Sequence, residues 1–472
     1  MDKAYRLFDS VKNSLGLLSW VALVLVFSLL IYQFELIGLG LIFVIPPIVV
    51  VMWIIYVYPL SALYLAMLIS FPGNGLTRYI PVPFGLLIDA LLFGGIILAL
   101  LKSTSEEKNA LKNIPIYFFV AWFIYTTFQL LNPEAVSKAA WFYAIRGTSF
   151  NFLFILVIAF IYVKDKKHLN IFLYTWLFWS VLAAIWGMKQ KMIGLDGAEN
   201  AWLAAGNAST HLLHGKLRVF SFYSDAGQYG AAMAHAALVF MIIAIGPGKW
   251  KQKIIFGLGG LLCLYAMAIS GTRGALFIPA GGGLIYLIVN KNFKLLIVGL
   301  LMGASVFGVL KYTYIGQGNY EIQRLRSALD PNDASLNVRK ENQQKLAGYL
   351  ASRPLGGGIG SSGYFGLRFS PNTFLAQTPT DSWYVRIWAE TGIVGLYLHL
   401  ASILAIIGAG FWKIFSMRDP ELRNIMGAFL AGFTGVALAS YGNSILGQFP
   451  TIMVSMISIV MIWKGEAWDQ KK

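Results

Sequence analysis

Apolar runs long enough to cross a bilayer recur along nearly the whole 472-residue chain, separated by short polar clusters. A helix needs about 20 apolar residues, within a range of about 17–25, to span the hydrocarbon core. In that medium each backbone polar group must be satisfied inside its own segment, so runs of this length form helices. Candidate spans fall at 15–32, 37–57, 58–71, 84–101, 115–131, 148–163, 169–189, 225–246, 254–270, 274–290, 295–311, 391–413, 423–441 and 450–463, about fourteen (12–14) in all. The third is short and follows Pro59, as a broken or re-entrant segment would. Composition agrees: 57% of residues are hydrophobic and only 12% charged, where globular domains carry about 25% charged. The expected fold is an all-α polytopic membrane protein. A disordered chain, a coiled coil and an ordinary cytosolic enzyme are excluded.

Net charge is +16, which in a soluble protein would suggest nucleic acid. Here topology explains it instead, because Lys and Arg gather in cytoplasmic loops. The connections Lys102–Asn113, Lys164–His168, Gly246–Lys253, Asn290–Lys294 and Lys413–Arg423 each hold two or three Lys/Arg, and the alternate connections are poorer. Both termini are thus expected in the cytoplasm, with an uncleaved first helix rather than a signal peptide. The chain divides into N-terminal transmembrane helices (1–189), a first external loop (190–224), central transmembrane helices (225–311), a large, partly helical external loop (312–390) and C-terminal helices with a cytoplasmic tail (391–472). The single cysteine, Cys263, lies in an apolar run, so no disulfide framework or Cys-based metal site is expected. The short cytoplasmic connections leave no room for a nucleotide-binding domain, and no G-x-x-x-x-G-K-[ST] motif occurs. An ATP-driven pump is excluded, and the long external loops become the place to look for function.

Five stretches carry candidate chemistry. Ser270-Gly271-Thr272-Arg273-Gly274 is an external turn between two spans, with Arg273 at the N-terminus of the next helix. Free N–H groups, the positive end of the helix dipole and a guanidinium fork together suit a phosphate. Arg218 arrives at the membrane surface among aromatics, just before a helix starting with Asp225 and Gln228. Asp225 also reads as a helix cap. His211 and His214 precede it in a Ser/Thr/Asn-rich stretch and read as exposed surface histidines, with a base or ligand role as the alternative. In the long loop, Leu336, Leu346 and Leu350 share a helical stripe with Arg339, so this arginine is expected to point inward to a partner or site. Glycines then crowd Arg353-Pro354-Leu355-Gly356-Gly357-Gly358-Ile359-Gly360, exposing consecutive N–H groups. Finally, Asp381 and Tyr384 share a face at the start of a helix in which Arg386 and Glu390 form an i,i+4 pair. Asp381 is either that helix's N-cap or a carboxylate general base at the membrane surface.

The order of these elements, S-G-T-R-G, then Arg339, then R-P-L-G-G-G-I-G, then Trp383…Ala389-Glu390-Thr391-Gly392-Ile393-Val394-Gly395-Leu396, resembles the O-antigen ligase and O-antigen polymerase family over residues 200–400. The resemblance implies a GT-C-like glycosyltransferase in a bacterial inner membrane that needs no metal or other cofactor. It implies an inverting transfer of a glycan from undecaprenyl diphosphate, at the periplasmic face, to an acceptor hydroxyl. The acceptor is lipid A-core in ligases, a second lipid-linked repeat unit in polymerases and a protein hydroxyl in some relatives; nucleic acid is not a partner. The resemblance assigns diphosphate binding to Arg218 and Arg273 with Arg339 assisting, and Asp225, Gln228, Tyr384 and Glu390 are expected to bind the diphosphate or glycan with them.

The chain departs from the family at one place. Where the ligases carry a histidine shortly before the E-x-G element, this sequence reads Thr380-Asp381-Ser382. Asp381 takes the base role, or His211 or His214 folds over to it, or the chemistry needs little base. A lipid-linked oligosaccharide flippase is the rival of another class. It would call for ionisable residues at mid-span and repeated halves, of which this sequence shows few and none clear.

Overall fold

The computed structural model describes residue 28 and residues 45–213, 215–291, 293–327, 329–330 and 334–470. The span expected at 15–32 (Ser28 apart), the first part of the one at 37–57, and His214 lie outside the described residues. The chain forms two compact units, Met1–Ser61 and Ala62–Lys472. The described part of the first is an apolar helix, Ile45–Val57.

The second unit is helical almost throughout; among the described residues only Leu212–Leu213 and Lys216–Leu217 pair as a two-stranded ribbon. Nine of its described helices are long and apolar enough to cross a membrane. They are α1 (Phe84–Lys102), α2 (Ile114–Leu131), α3 (Lys138–Tyr162), α4 (Lys167–Met192), α5 (Ala226–Ile245), α6 (Trp250–Ile269), α7 (Trp383–Ser416), α8 (Pro420–Ala439) and α9 (Thr451–Gln470). Three further apolar helices of this unit, Leu60–Ser70, Arg273–Val289 and Ile297–Tyr312, are shorter. This is a membrane protein. Among the described residues nine of the fourteen expected spans are long helices; the runs at 58–71, 274–290 and 295–311 form the shorter helices, and those at 15–32 and 37–57 lie wholly or partly outside the described residues.

Polar caps set where the spans begin. Asn113 accepts from Ile116 N at 3.1 Å, Ser137 from Ala140 N at 3.2 Å, and Asp419 from Glu421 N at 3.0 Å; each satisfies an amide that the helix leaves without a partner. Two starts move from expectation. α3 begins at Lys138 instead of 148, and Arg146, just before the expected start, lies within the helix and pairs with Asp89 of α1. α7 begins at Trp383 instead of 391 and runs through a break at Gly392. α3, α5, α8 and α9 are mostly buried, while the other long helices turn most of their residues outward, which in a bundle of this composition is the lipid side.

One end of the bundle is fastened by charge. Trp468 Nε1 donates to Lys164 O at 2.8 Å, Lys164 pairs with Glu107, and Lys413 pairs with Glu466. Asp469 accepts from the Arg418 and Asp419 amides at 2.9 and 2.8 Å. The opposite end carries the S-G-T-R-G turn, the N-termini of α5, α7 and α9, and both long connections.

Candidate active site

The connection after α4 is locked from its base. Asp196 and Glu199 form a reciprocal capping box. The buried Glu199 carboxylate also receives Trp186 Nε1 at 2.8 Å, Lys189 Nζ at 2.9 Å and Gln190 Nε2 at 2.7 Å. Gln190 Oε1 in turn accepts from the amides of Phe220 (3.2 Å) and Ser221 (2.7 Å). Arg78, in the turn after the Leu60–Ser70 helix, completes the clamp by donating to Ser221 O at 2.7 Å and to Tyr223 O. Its guanidinium lies 4.4 Å from the Trp202 ring and 4.6 Å from the Phe220 ring. Burial pushes the Arg78 pKa down to about 10, against the attraction of Glu199 and Asp196. Sequence reasoning missed Arg78; the signal was an arginine directly after a span too short to cross.

This clamp presents Arg218 to the S-G-T-R-G turn. Arg218 donates to Thr210 O at 3.0 Å and to Thr272 Oγ1 at 3.2 Å, while Thr272 Oγ1 donates to Ala226 O at 2.7 Å. The turn closes on Gly271 at φ 59°, a left-handed conformation that glycine adopts without cost. Arg273 opens the next helix and donates to Ser327 Oγ at 3.2 Å. From the Tyr320–Ser327 helix, Arg324 donates to Gly271 O at 3.4 Å. Arg218, Arg273 and Arg324 thus converge on one turn; the third was not anticipated, because nothing in the loop's local pattern marks it.

Asp225 is the N-cap of α5, with Oδ1 accepting from Gln228 N at 2.9 Å and Oδ2 from Ser224 Oγ at 3.0 Å. Gln228 Nε2 reaches Thr451 Oγ1 of α9 at 2.7 Å. His211 is a correction: it is buried, not a surface histidine. Trp202 and Phe220 meet its ring edge-on at 5.0 and 5.2 Å, and Nε2 accepts from Ala226 N at 3.2 Å. Nδ1 therefore carries the proton and lies 2.9 Å from Asn207 O.

The long loop builds a second cluster. In the helix Ala334–Leu350, Leu346 and Leu350 pack with Leu375, Val385 and Ala389, which brings Arg339 to Asp381 at 3.6 Å. That separation is an ion pair beyond hydrogen-bond range. The two line a shallow cleft, open to solvent, with Asn342, Gln343, Pro379, Ser382 and Val385. Asp381 is not the helix cap: Ser382 takes that place, accepting from Val385 N at 3.5 Å. Tyr384 donates to Ala437 O at 2.7 Å, tying α7 to α8.

Glu390 sits deeper. It is fully buried, and Oε1 accepts from Arg386 Nε at 3.1 Å and Ser362 Oγ at 2.8 Å; Ser362 is in turn 3.4 Å from Thr380 Oγ1. Just beyond, the chain breaks at Gly392 (φ 69°) where Gly356 (φ 73°) crosses it. A Cβ on Gly392 would meet Pro354 O at 2.0 Å, and one on Gly356 would meet Gly392 N at 2.3 Å. Both glycines are required by this crossing.

The two clusters share a third element that sequence reasoning overlooked, the turn between α8 and α9. Ser440 O accepts from Trp383 N at 3.0 Å, and Gln448 Oε1 accepts from Ser224 Oγ at 3.0 Å. Asn443 Nδ2 lies 2.9 Å from where a Cβ on Gly274 would be. This turn therefore touches the starts of α5 and α7 and the S-G-T-R-G turn. Its polar residues are too few to stand out between two apolar spans.

No match is found among curated proteins. Residues 258–400 match a family model described as O-antigen ligase. The matched segment contains Arg273, Arg324, Arg339, Asp381 and Glu390, and over it the chain is similar to the O-antigen ligase family.

Proposed function

We propose that this protein moves a glycan from undecaprenyl diphosphate to an acceptor hydroxyl, in ligase fashion, at the external face of a bacterial inner membrane. Both termini lie in the cytoplasm in this reading, and the spans follow a GT-C-like plan. The observation that carries it is the convergence of Arg218, Arg273 and Arg324 on the S-G-T-R-G turn, largely inside the matched segment. Guanidinium forks fit diphosphate oxygens, and neutralising the charge that develops on the leaving group is commonly the largest catalytic contribution.

In the reaction the acceptor oxygen attacks the anomeric carbon from the face opposite the diphosphate. The C–O bond to the diphosphate breaks, its electron pair leaves with the phosphate, and the hydroxyl proton passes to Asp381. A single displacement of this kind inverts the anomeric centre. Arg339 borders the same cleft and aligns the acceptor. Asp225, Gln228, Tyr384 and Glu390 act by holding the elements that carry these groups. His211 serves the α5 cap, so the base role falls to Asp381. The donor is already activated by its diphosphate, which accounts for the absence of a nucleotide motif from the sequence.

The test is an assay of purified protein with undecaprenyl-diphosphate-linked oligosaccharide, without and with lipid A-core, read on a gel. Transfer only when lipid A-core is supplied is the expected result. A ladder of lengthened lipid-linked glycans without it would make the protein a polymerase, and silence in both would return the flippase reading. Arg273→Ala should abolish transfer while leaving expression and membrane insertion intact; normal transfer by this variant would sink the diphosphate site.

A further inference from the structure

The short helix Gly363–Phe369 of the long loop has two different faces. Phe365 and Phe369 lean on Tyr143 of α3, with ring centroids 6.3 and 5.4 Å apart and planes within 20° of parallel. Tyr364 and Leu367 form the other face and are exposed, at 70% and 56%, while the exposed Arg368 holds its guanidinium 5.4 Å from the Tyr143 ring. Two large apolar side chains directed away from the protein on a seven-residue helix are costly in water, at about 25 cal/mol for each Å² left unburied.

Exposed apolar residues are not confined to this helix. Phe128 and Leu131 at the end of α2, Val136 in the turn that follows, and Phe142 at the start of α3 are all exposed apolar residues. The loop is fastened to this same stretch. Leu355 O accepts from Gln129 Nε2 at 3.1 Å and Asn132 Nδ2 at 3.0 Å, and a Cβ on Gly358 would lie 2.5 Å from Ala135 Cβ. The helix is therefore held beside the ends of two membrane-spanning helices, whose outward residues face lipid.

From this placement we infer that Gly363–Phe369 is an interfacial helix, seated in the lipid surface at the end of the bundle that carries the S-G-T-R-G turn. Tyr364 and Leu367 insert among the upper acyl chains, and Arg368, with exposed Lys138 nearby on α3, reaches back to the phosphate headgroups. The occupant of the patch is lipid rather than a partner protein, because the helix is held beside the lipid-facing ends of the spans and its cations suit phosphates. The helix lies between the glycine-rich segment and the Pro379–Ser382 side of the cleft. It therefore moors the long loop at headgroup depth, where a lipid-linked diphosphate resides; that consequence rests on the proposed function, whereas the seating does not.

The only cysteine, Cys263, is fully buried, so a Cys263→Ala background allows site-specific spin labelling. Tyr364→Cys and Leu367→Cys would be labelled with a nitroxide in vesicles of phosphatidylcholine and phosphatidylglycerol, with Lys340→Cys, exposed on the helix Ala334–Leu350, as the aqueous reference. The expected result is a ratio of oxygen to nickel-chelate collision rates above unity at 364 and 367 and below unity at 340. Ratios at 364 and 367 matching the aqueous reference would overturn the inference and mark the patch for a protein partner. Because both labelled sites are exposed, neither substitution removes a packed side chain, and the readout does not depend on catalysis. A failed glycan assay with a lipid-like ratio would sink the proposed function alone.

Discussion

Asp381 and Glu390 belong to one stretch of chain and each faces an arginine, yet their surroundings make them different instruments. Asp381 is about half exposed, stands 3.6 Å from Arg339 without a hydrogen bond, and borders an open cleft. Glu390 is sealed from solvent, accepts from Arg386 at 3.1 Å and Ser362 at 2.8 Å, and lies against the Gly356–Gly392 crossing. A carboxylate held loosely at a surface keeps oxygens for an incoming hydroxyl. One whose charge is matched inside the packing serves the fold, and losing its partner leaves a charge that nothing else compensates. Sequence alone ranks both as acidic residues in a matched motif. Only burial separates the residue proposed to react from the residue that fastens.

The largest expected effect lies on the fastening side. Glu390→Ala strands Arg386, which is 21% exposed, and removes the Ser362 acceptor; breaking a buried pair this way costs about 3–5 kcal/mol. Thermal unfolding in detergent should show a lowered midpoint, with the protein that remains folded keeping its turnover. A variant that unfolds like the parent but has lost transfer would mean that Glu390 touches substrate, and the comparison would fail.

Asp381→Asn sharpens it from the other side. The amide keeps the size of the carboxylate and accepts no proton, so transfer should slow by about 10²–10⁴-fold, the usual worth of a general base. The melting midpoint should stay near that of the parent, because the ion pair with Arg339 is solvent-screened and worth about 1 kcal/mol or less. Unchanged turnover would leave Asp381 as a partner of Arg339 only and shift the chemistry to leaving-group stabilisation by the arginines.

The apolar runs made the spans legible, since length and hydropathy are local properties and the bilayer permits little besides a helix. They misplaced the start of α3, where Arg146 is accommodated inside the helix by a long-range pairing with Asp89. The site was legible in the same limited sense. Arg218 and Arg273 stood out because an arginine beside an apolar run is costly, and Arg218 does reach Thr272, the residue before Arg273. Arg78 carried the same signal beside a short span and was passed over, whereas Arg324, Asn443 and Gln448 carry none; each matters only through partners far along the chain. The i,i+4 spacing of Arg386 and Glu390 gave their pairing but not its burial, which comes from the glycine-rich segment folding across α7.

His211 offers the smallest effect and a contrast with both carboxylates, since its environment favours the uncharged form. Burial lowers its pKa, with Arg218 and Arg78 acting in the same direction and the Asn207 carbonyl and Asp225 opposing. The unfolded chain thus binds a proton near the ordinary imidazole pKa of about 6.5, while the folded chain resists it until lower pH. Stability attributable to His211 is fully present above that value and falls as pH is lowered through it. Protonating Nε2 would also set an N–H against the Ala226 amide at the N-terminus of α5, where the helix dipole repels a cation. The melting midpoint should therefore decline more steeply below about pH 6.5 in the parent than in His211→Gln. Parallel declines would show that the His211 contact to α5 is dispensable, and that Asp225 alone fixes the start of the helix leading away from Arg218.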